Sequence, residues 1–464
     1  MTGLPRFEEI ARVRPVDLLA PGHVVLELDG PGEGALPQPA PYVAAVAETS
    51  GPAELTLTSG SASGSASGEI TATLDEHRRA ALLVDGRLTR SRRHGRSRTP
   101  VDALALTVTG AQATVFARSG DVWTARAKVD LTDQVDTSDP DWCAGLRLTV
   151  SGAVGRVRAG AFGQLGLRDL RLVSNPDSSP YSPGGRLLLT ATSAGPGFFG
   201  TGHASVWELD PERLELTHLS DVFFRRGDAV YGDHAIHLLR DDAAGGWVVA
   251  TSTWGDFVDP AVDHVHVELG RTSADLLTGR HVVETEPLHL PTSGLRSVGV
   301  WDPHLVARHT GGDPEWLVGY VSARRYFEFH PVVASGPSLD RLRVRAVAAG
   351  RRATEGTTLA RVGADADDAG DAAWRVIASD GRANRRGHRA EYPVFDLDLR
   401  QLGTLEAPYP TNLPWPTLVP TPQGMLMVGF DGTPTCGRLP GYGTHGAVVI
   451  AREVEEPQRV SRSE

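Results

Sequence analysis

Five stretches in the second half of the chain share one form: LLLTATS (187–193), WVVATS (247–252), WLVGYVS (316–322), WRVIAS (374–379) and MLMVGFD (425–431). Each is an apolar run that ends in a small or polar residue, which reads as a buried strand. From Ser193 through Ser252, Ser322 and Ser379 to Asp431 the steps are 59, 70, 57 and 52 residues. A wide-period repeat of strands predicts a β-propeller with one four-stranded sheet per repeat, and five repeats predict five blades. Outer hairpins follow the repeated strands, for example 205–209 with 214–219 and 264–269 with 281–284. No helical period is sustained for about 11 residues in this half.

Upstream the pattern changes. From His23 to Val173 short runs alternate apolar and polar residues at period two, among them 23–28, 53–58, 69–74, 103–109, 114–118, 122–129 and 145–150. These predict a β-sandwich with one solvated face per sheet. The fold class expected is therefore all-β, an N-terminal β-sandwich over residues 1–168 followed by a five-bladed β-propeller over 169–455, with a disordered tail at 456–464. The Ser-Gly tract 59–68 reads as a flexible loop. Arg87, Arg90, Arg92, Arg93, Arg96 and Arg98 form a cluster that reads first as a solvated surface hairpin and second as an anion patch.

Composition excludes several classes. The 464 residues carry 46 basic and 57 acidic side chains, a formal charge of −11, which argues against a nucleic-acid partner. Gly (52) and Pro (32) are abundant and Met (3) is scarce, which argues against a helical bundle. No run approaches the ~18–20 apolar residues of a membrane helix. Cys143 and Cys436 show no CxxC spacing, so neither a zinc site nor a disulfide framework is expected. The first 16 residues lack the apolar core of a secretory signal, so a cytoplasmic location is expected.

The chemistry is expected one strand before each repeat, on the innermost strand of each blade, where distant segments converge on the axis. Asp233 in YGDHAIHLL (231–239) lies 14 residues before Trp247, and Asp302 in WDPHLV (301–306) lies 14 before Trp316. Glu355 in ATEGTTLAR (353–361) lies 19 before Trp374, the difference being assigned to a loop at 363–372. The corresponding places in the fifth and first repeats fall near Asn412 and near Asn175 and Asp177. Glycosidic cleavage needs one carboxylic acid to protonate the leaving oxygen and a second carboxylate to activate water or attack the anomeric carbon. Crowding carboxylates in a dry pocket separates their pKa values. The alternative is that Asp233 and Asp302 merely cap turns.

WDPHLV followed one blade later by TEGTTL (354–359) resembles the Asp-Pro and Glu-Gly pair of the five-bladed glycoside hydrolases: glycoside hydrolase family 43 and its relatives among arabinanases, fructosidases and levansucrases. The resemblance covers residues 172–452, and the N-terminal half is similar to the jelly-roll modules that accompany such propellers. It implies a hydrolase acting on an arabinofuranosyl or fructofuranosyl linkage, with Asp233 as base or nucleophile, Asp302 as pKa modulator and Glu355 as general acid. In that group the first Asp usually sits in the first blade, so either the ring starts elsewhere or Asp177 is the base.

Trp254, Arg324, Arg325, Asp380 and Arg382 follow the repeated strands and are candidates to line a sugar subsite. Trp247, Trp316 and Trp374 share one repeated position and read as core. His234, His237, His304 and His445 read as hydrogen-bonded structural residues or, for one of them, as a holder of axial water or calcium. No other cofactor is expected, and the partner expected is a carbohydrate. The rival readings are a cytosolic glycoside phosphorylase or transglycosylase with phosphate on Arg324 and Arg325, a non-catalytic sugar-binding propeller, and a metal-dependent lactonase-like propeller.

Overall fold

A computed structural model describes residues 4–60, 68–242, 245–257, 264–310, 313–361, 370–440 and 446–454. The expected tail 456–464, most of the 59–68 and 363–372 loops, and His445 lie outside them.

The repeated strands are buried along their whole length, as in Leu187–Ser193 and Gly246–Ser252, because other sheets cover both of their faces. Each is the second strand of a four-stranded antiparallel sheet. The first sheet runs Leu167–Leu172, Leu187–Ser193, His203–Asp210, Glu215–Arg226, and the second His234–Asp241, Gly246–Ser252, Val267–Thr272, Gly279–Pro287. The third runs Gly299–Thr310, Asp313–Arg325, Glu328–Gly336, Arg343–Val347, and the fourth Thr354–Arg361, Trp374–Asp380, Tyr392–Phe395, Gln401–Leu405. The fifth is built from both ends of the chain: Thr417–Thr421, Gly424–Asp431 and Ala447–Val454 are joined by Arg6–Val13, which pairs antiparallel with Ala447–Val454. Residues 6–13, expected in the sandwich, thus belong to the propeller. Their pattern is mostly exposed, as suits an outermost strand with one neighbour.

The ring closes between the fifth and first sheets. Leu167 N–H donates to Gly446 O at 2.8 Å and Thr417 Oγ1 to Leu170 O at 2.6 Å, while Leu167, Leu189, Val428 and Ile450 share one apolar cluster. The outer strands of the first two sheets also pair, in parallel, over 220–225 and 279–284.

The N-terminal sandwich consists of two six-stranded sheets that share two long bent strands, Tyr42–Ser59 and Leu146–Gln164. On one half of these lie Asp17–Asp29, Ala103–Thr109, Gln112–Ser119 and Val122–Asp130; on the other lie Gly32–Ala35, Ile70–Leu74, Ala80–Val84 and Arg87–Thr89. The bend falls where the register shifts at Gly152, whose φ of 94° is open to glycine and costly for other residues. Leu55, Leu57, Leu82, Leu104, Leu106 and Leu148 fill the space between the sheets. Among the described residues, five of the pairings here join hairpin neighbours, and four join strands distant in sequence through Tyr42–Ser59 and Leu146–Gln164.

The two parts share an apolar core in which Leu18, Tyr42, Phe116 and Phe162 meet Phe223 and Val230 of the propeller. Tyr42 Oη donates to Gly202 O at 2.9 Å. Beside it the buried Asp221 lies against His203, His218 and Arg280; burial pushes its carboxyl up, and the interactions with His203 and His218 outweigh that and hold it well below the usual range. Cys143 is buried and its thiol is pushed up to about 12 by that burial. Among the described residues no helix is long and apolar enough to cross a membrane.

Candidate active site

Four innermost strands carry the same irregularity near their first residues. The register with the second strand slips by one between Arg168 and Arg171, His234 and His237, Trp301 and His304, and Glu355 and Thr358. The first extra residue of each bulge has a left-handed backbone: Asp169 at φ 54°, Ala235 at 55°, Asp302 at 60° and Gly356 at 72°. Asp enters this region more readily than most residues, and bulges of this kind re-aim side chains. Glycine is required at 356, since a Cβ there would lie 2.6 Å from the Trp415 ring.

The bulges are tied from sheet to sheet. Ala235 N–H donates to Thr192 Oγ1 at 3.1 Å and Asp302 N–H to Ser252 Oγ at 2.9 Å. The polar ends of the repeated strands thus satisfy the backbone groups that the neighbouring bulge leaves unpaired. One turn deeper, His237 Nδ1 accepts from Leu305 N–H at 2.9 Å and His304 Nδ1 from Leu359 N–H at 3.2 Å. The two rings stack with centroids 4.2 Å apart, and burial holds both far below the ordinary histidine pKa, so they are neutral struts.

The bulges open on a cavity of about 710 Å³. Asp169, Asp302 and Glu355 all line it. Asp302 is buried, its carboxyl pushed well above the usual range by burial and then by the charges of Glu355 and Asp169. Its Oδ2 accepts from Gly356 N–H at 3.4 Å. Glu355 is pushed up to about 8 by burial and then by Asp169, with Arg168 pulling the other way. Asp169 is paired with the Arg168 guanidinium at 3.2 Å. Beneath them lies Arg171, fully buried, which donates to Thr358 Oγ1 at 3.0 Å and Asp302 O at 3.1 Å and sits 4.7 Å from the Trp415 ring centroid. Its positive charge acts on Asp302 and Asp169.

Opposite the carboxylates stands an aromatic wall. Trp254 stacks on Phe199 at 4.2 Å and meets Trp301 edge-on at 5.2 Å. Gln112, Asp130 and Thr132 of the sandwich complete the rim. A protonated carboxyl, further carboxylates and stacking surfaces in one cavity can donate a proton, activate water and hold a sugar face.

The residues expected from the sequence divide clearly. Asp302, Glu355, His234, Trp254 and Asn412 line the cavity. His234 is neutral, pushed down to about 3 by burial, and Asn412 Oδ1 accepts from Arg382 N–H at 2.7 Å. His304 is buried on its inner strand as a strut rather than in the lining. Asp233 is corrected: it lies before the bulge, fully buried, with Oδ2 2.6 Å from Arg226 Nη1 and Oδ1 accepting Gly255 N–H at 3.1 Å, and does not line the cavity. Asp177 is also corrected. It sits past the far end of its inner strand, in a turn where it accepts from Ser179 N–H and Oγ, beside the 307–316 hairpin.

Arg324 donates to Arg351 O and Ala349 O, and Arg325 pairs with Glu328, so neither offers phosphate a place in the cavity. Asp380 is buried against Arg351, Thr354 and Asn384. Among the described residues no group of three or more His, Cys, Asp or Glu is placed to hold a metal ion.

Sequence reasoning missed Asp169, Arg168, Arg171, Trp301 and Trp415. Asp169 carries a signal: RDLRL (168–172) aligns with WDPHL (301–305) in placing Asp three residues before Leu.

No family model matches the chain, and no curated protein sequence does. Among solved structures it is similar to the α-L-arabinanase of Penicillium chrysogenum complexed with arabinobiose, at 12% identity and TM-score 0.37, over 97% of this chain and 98% of that one. It is similar to the RS223 β-xylosidase at 11% identity and TM-score 0.41, over 63% of this chain and 93% of that one. To the GH43_1 enzyme of Xanthomonas citri it is similar at 12% identity and TM-score 0.40, over 63% and 88%.

Proposed function

We propose that the chain is a glycoside hydrolase of the five-bladed, family 43-like type, with Glu355 as general acid, Asp169 as base or nucleophile and Asp302 as the group that tunes Glu355. The supporting observation is the convergence of these three side chains on one cavity, with Glu355 raised to about 8. At neutral pH such a carboxyl holds the proton that a departing sugar oxygen needs, while Asp169, beside Arg168, is the carboxylate available to water or to the anomeric carbon. Beyond burial, the charge of Glu355 in turn raises Asp302, so ionisation of one of these two carboxyls opposes ionisation of the other. The furanoside preference, arabinofuranosyl or fructofuranosyl, rests on the resemblance of WDPHLV and TEGTTL alone.

The test is a panel of aryl furanosides and pyranosides and the matching oligosaccharides, with NMR of the first-formed anomer. Glu355→Gln is expected to lose about 10²–10⁴-fold on oligosaccharides and far less on aryl glycosides with good leaving groups, which need little acid help. Equal losses on both would remove the acid role from Glu355.

A further inference from the structure

The sandwich carries a charge pattern that the proposed reaction does not use. Between positions 78 and 98 lie eight arginines and a single acid, Asp85, in a chain of net charge −11. Arg78 and Arg79 join the six noted above, and all but Arg78 are exposed. Elsewhere arginines are commonly matched, as Arg226 is to Asp233 and Asp256, Arg308 to Glu315 and Asp371, and Arg345 to Asp371 and Asp398. Among the described residues none of the eight makes an ion pair. Of the nearest acids in sequence, Asp75 accepts from His77 and Arg79 N–H, Asp85 accepts from Glu69 N–H, and Glu76 lies 3.5 Å from His77 Nε2.

The array is also built rather than loose. Ala80 N–H donates to Gly95 O at 2.8 Å and Ser97 N–H to Arg78 O at 2.9 Å, which folds the loop after Arg87–Thr89 back along the sheet. Arg126, on the strand Val122–Asp130, clamps it from below by donating to His94 O, Arg96 O and Ser97 Oγ. Arg126 sits at a bulge, where the register shifts between Ala125 and Ala127, and beyond it Lys128 and Asp130 share one face of that strand. Asp130 lines the catalytic cavity. Four residues at about 3.3 Å each separate the clamp from the cavity rim by roughly 13 Å, a few sugar units.

We propose that this arginine array binds a glycan with repeating anionic groups and leads it along the Val122–Asp130 strand toward the cavity. The choice of a glycan over other polyanions rests on the hydrolase reading above. The rest of the chain repels anions, so the attraction is local and is screened within about 10 Å at 0.1 M salt.

The experiment is titration of the full chain with polygalacturonate and with its neutral methyl ester, at low and at physiological ionic strength. The polyuronate is expected to bind, with affinity falling steeply as salt rises, and the methyl ester not to bind. The exposed-site variant R92S/R93S/R96S should bind at least about tenfold more weakly while melting with the unchanged chain. Equal binding by that variant, or by the methyl ester, overturns the proposal. So does tighter binding to duplex DNA or to phosphatidylserine vesicles. Turnover of a small aryl glycoside should be the same in variant and unchanged chain. Its absence in the unchanged chain overturns the hydrolase reading, while polyuronate binding is read separately.

Discussion

Asp169 and Asp233 are both buried acids beside an arginine, yet their surroundings assign them different work. Asp169 occupies the left-handed position of a bulge and faces the cavity, whereas Asp233 precedes the equivalent bulge and holds Arg226 and the turn at Gly255. Asp169→Asn is expected to abolish turnover on every substrate with little change in Tm. Asp233→Ala should instead lower stability by about 1–3 kcal/mol, because it leaves a largely buried guanidinium with Asp256 as its one remaining carboxylate and Gly255 N–H without its acceptor, while the folded fraction keeps its kcat. Thermal melts and active-site titration of the two variants check this. The pH profile belongs to the same scale. With Glu355 at about 8 the acid form prevails at neutrality, and kcat/KM should fall as pH rises through about 8. A basic limb centred near the ordinary glutamic acid value would contradict it.

Asp302 and Glu355 were legible in the sequence because each sits in a short, distinctive inner strand directly before a repeat. Asp169 was not, because counting back from the second strand assumes a fixed hairpin. In the third sheet Trp316 faces Ala307, five residues after Asp302, while in the second Trp247 faces Arg240, seven after Asp233. The common offset of 14 residues therefore compares positions two residues out of register, and it matched Asp302 with Asp233 where the register matches it with Ala235.

At the scale of elements, the repeated bulge is what converts four inner strands into a site. Its residue types follow its geometry: Asp where a carboxylate is presented, glycine where the Trp415 ring leaves no room for a Cβ. Gly356→Ala should cost about 2–4 kcal/mol from backbone strain and overpacking combined, and should displace Glu355. A melt within 2 °C of the unchanged chain and full activity would show that the strand relaxes freely. The repeated second strands were legible for a physical reason. Sheets cover both of their faces, so they read as unbroken apolar runs, while the outer strands are half solvated and blur into the turns.

At the scale of the whole molecule, the ring closes on a strand from the other end of the chain. Arg6–Val13 escaped sequence reading because its partner is roughly 440 residues away and its own pattern is that of a solvated edge. Deleting residues 1–15 should leave Ala447–Val454 as an open edge, so the truncated chain is expected to melt at lower temperature and to aggregate, measurable by light scattering during a thermal ramp. The sandwich core does not include these residues, and its own strands should keep their pairing.

That closure also sets an order of events during biosynthesis. Arg6–Val13 cannot find its place until Ala447–Val454, about 440 residues later, has been made, an interval of roughly 20–90 s at about 5–20 residues per second. In that interval the sandwich has every strand it needs, so it can mature early and hold its charged loop ready. Arg6–Val13 meanwhile waits without its ladder neighbour, which makes the nascent chain a candidate for strand exchange between neighbouring polypeptides.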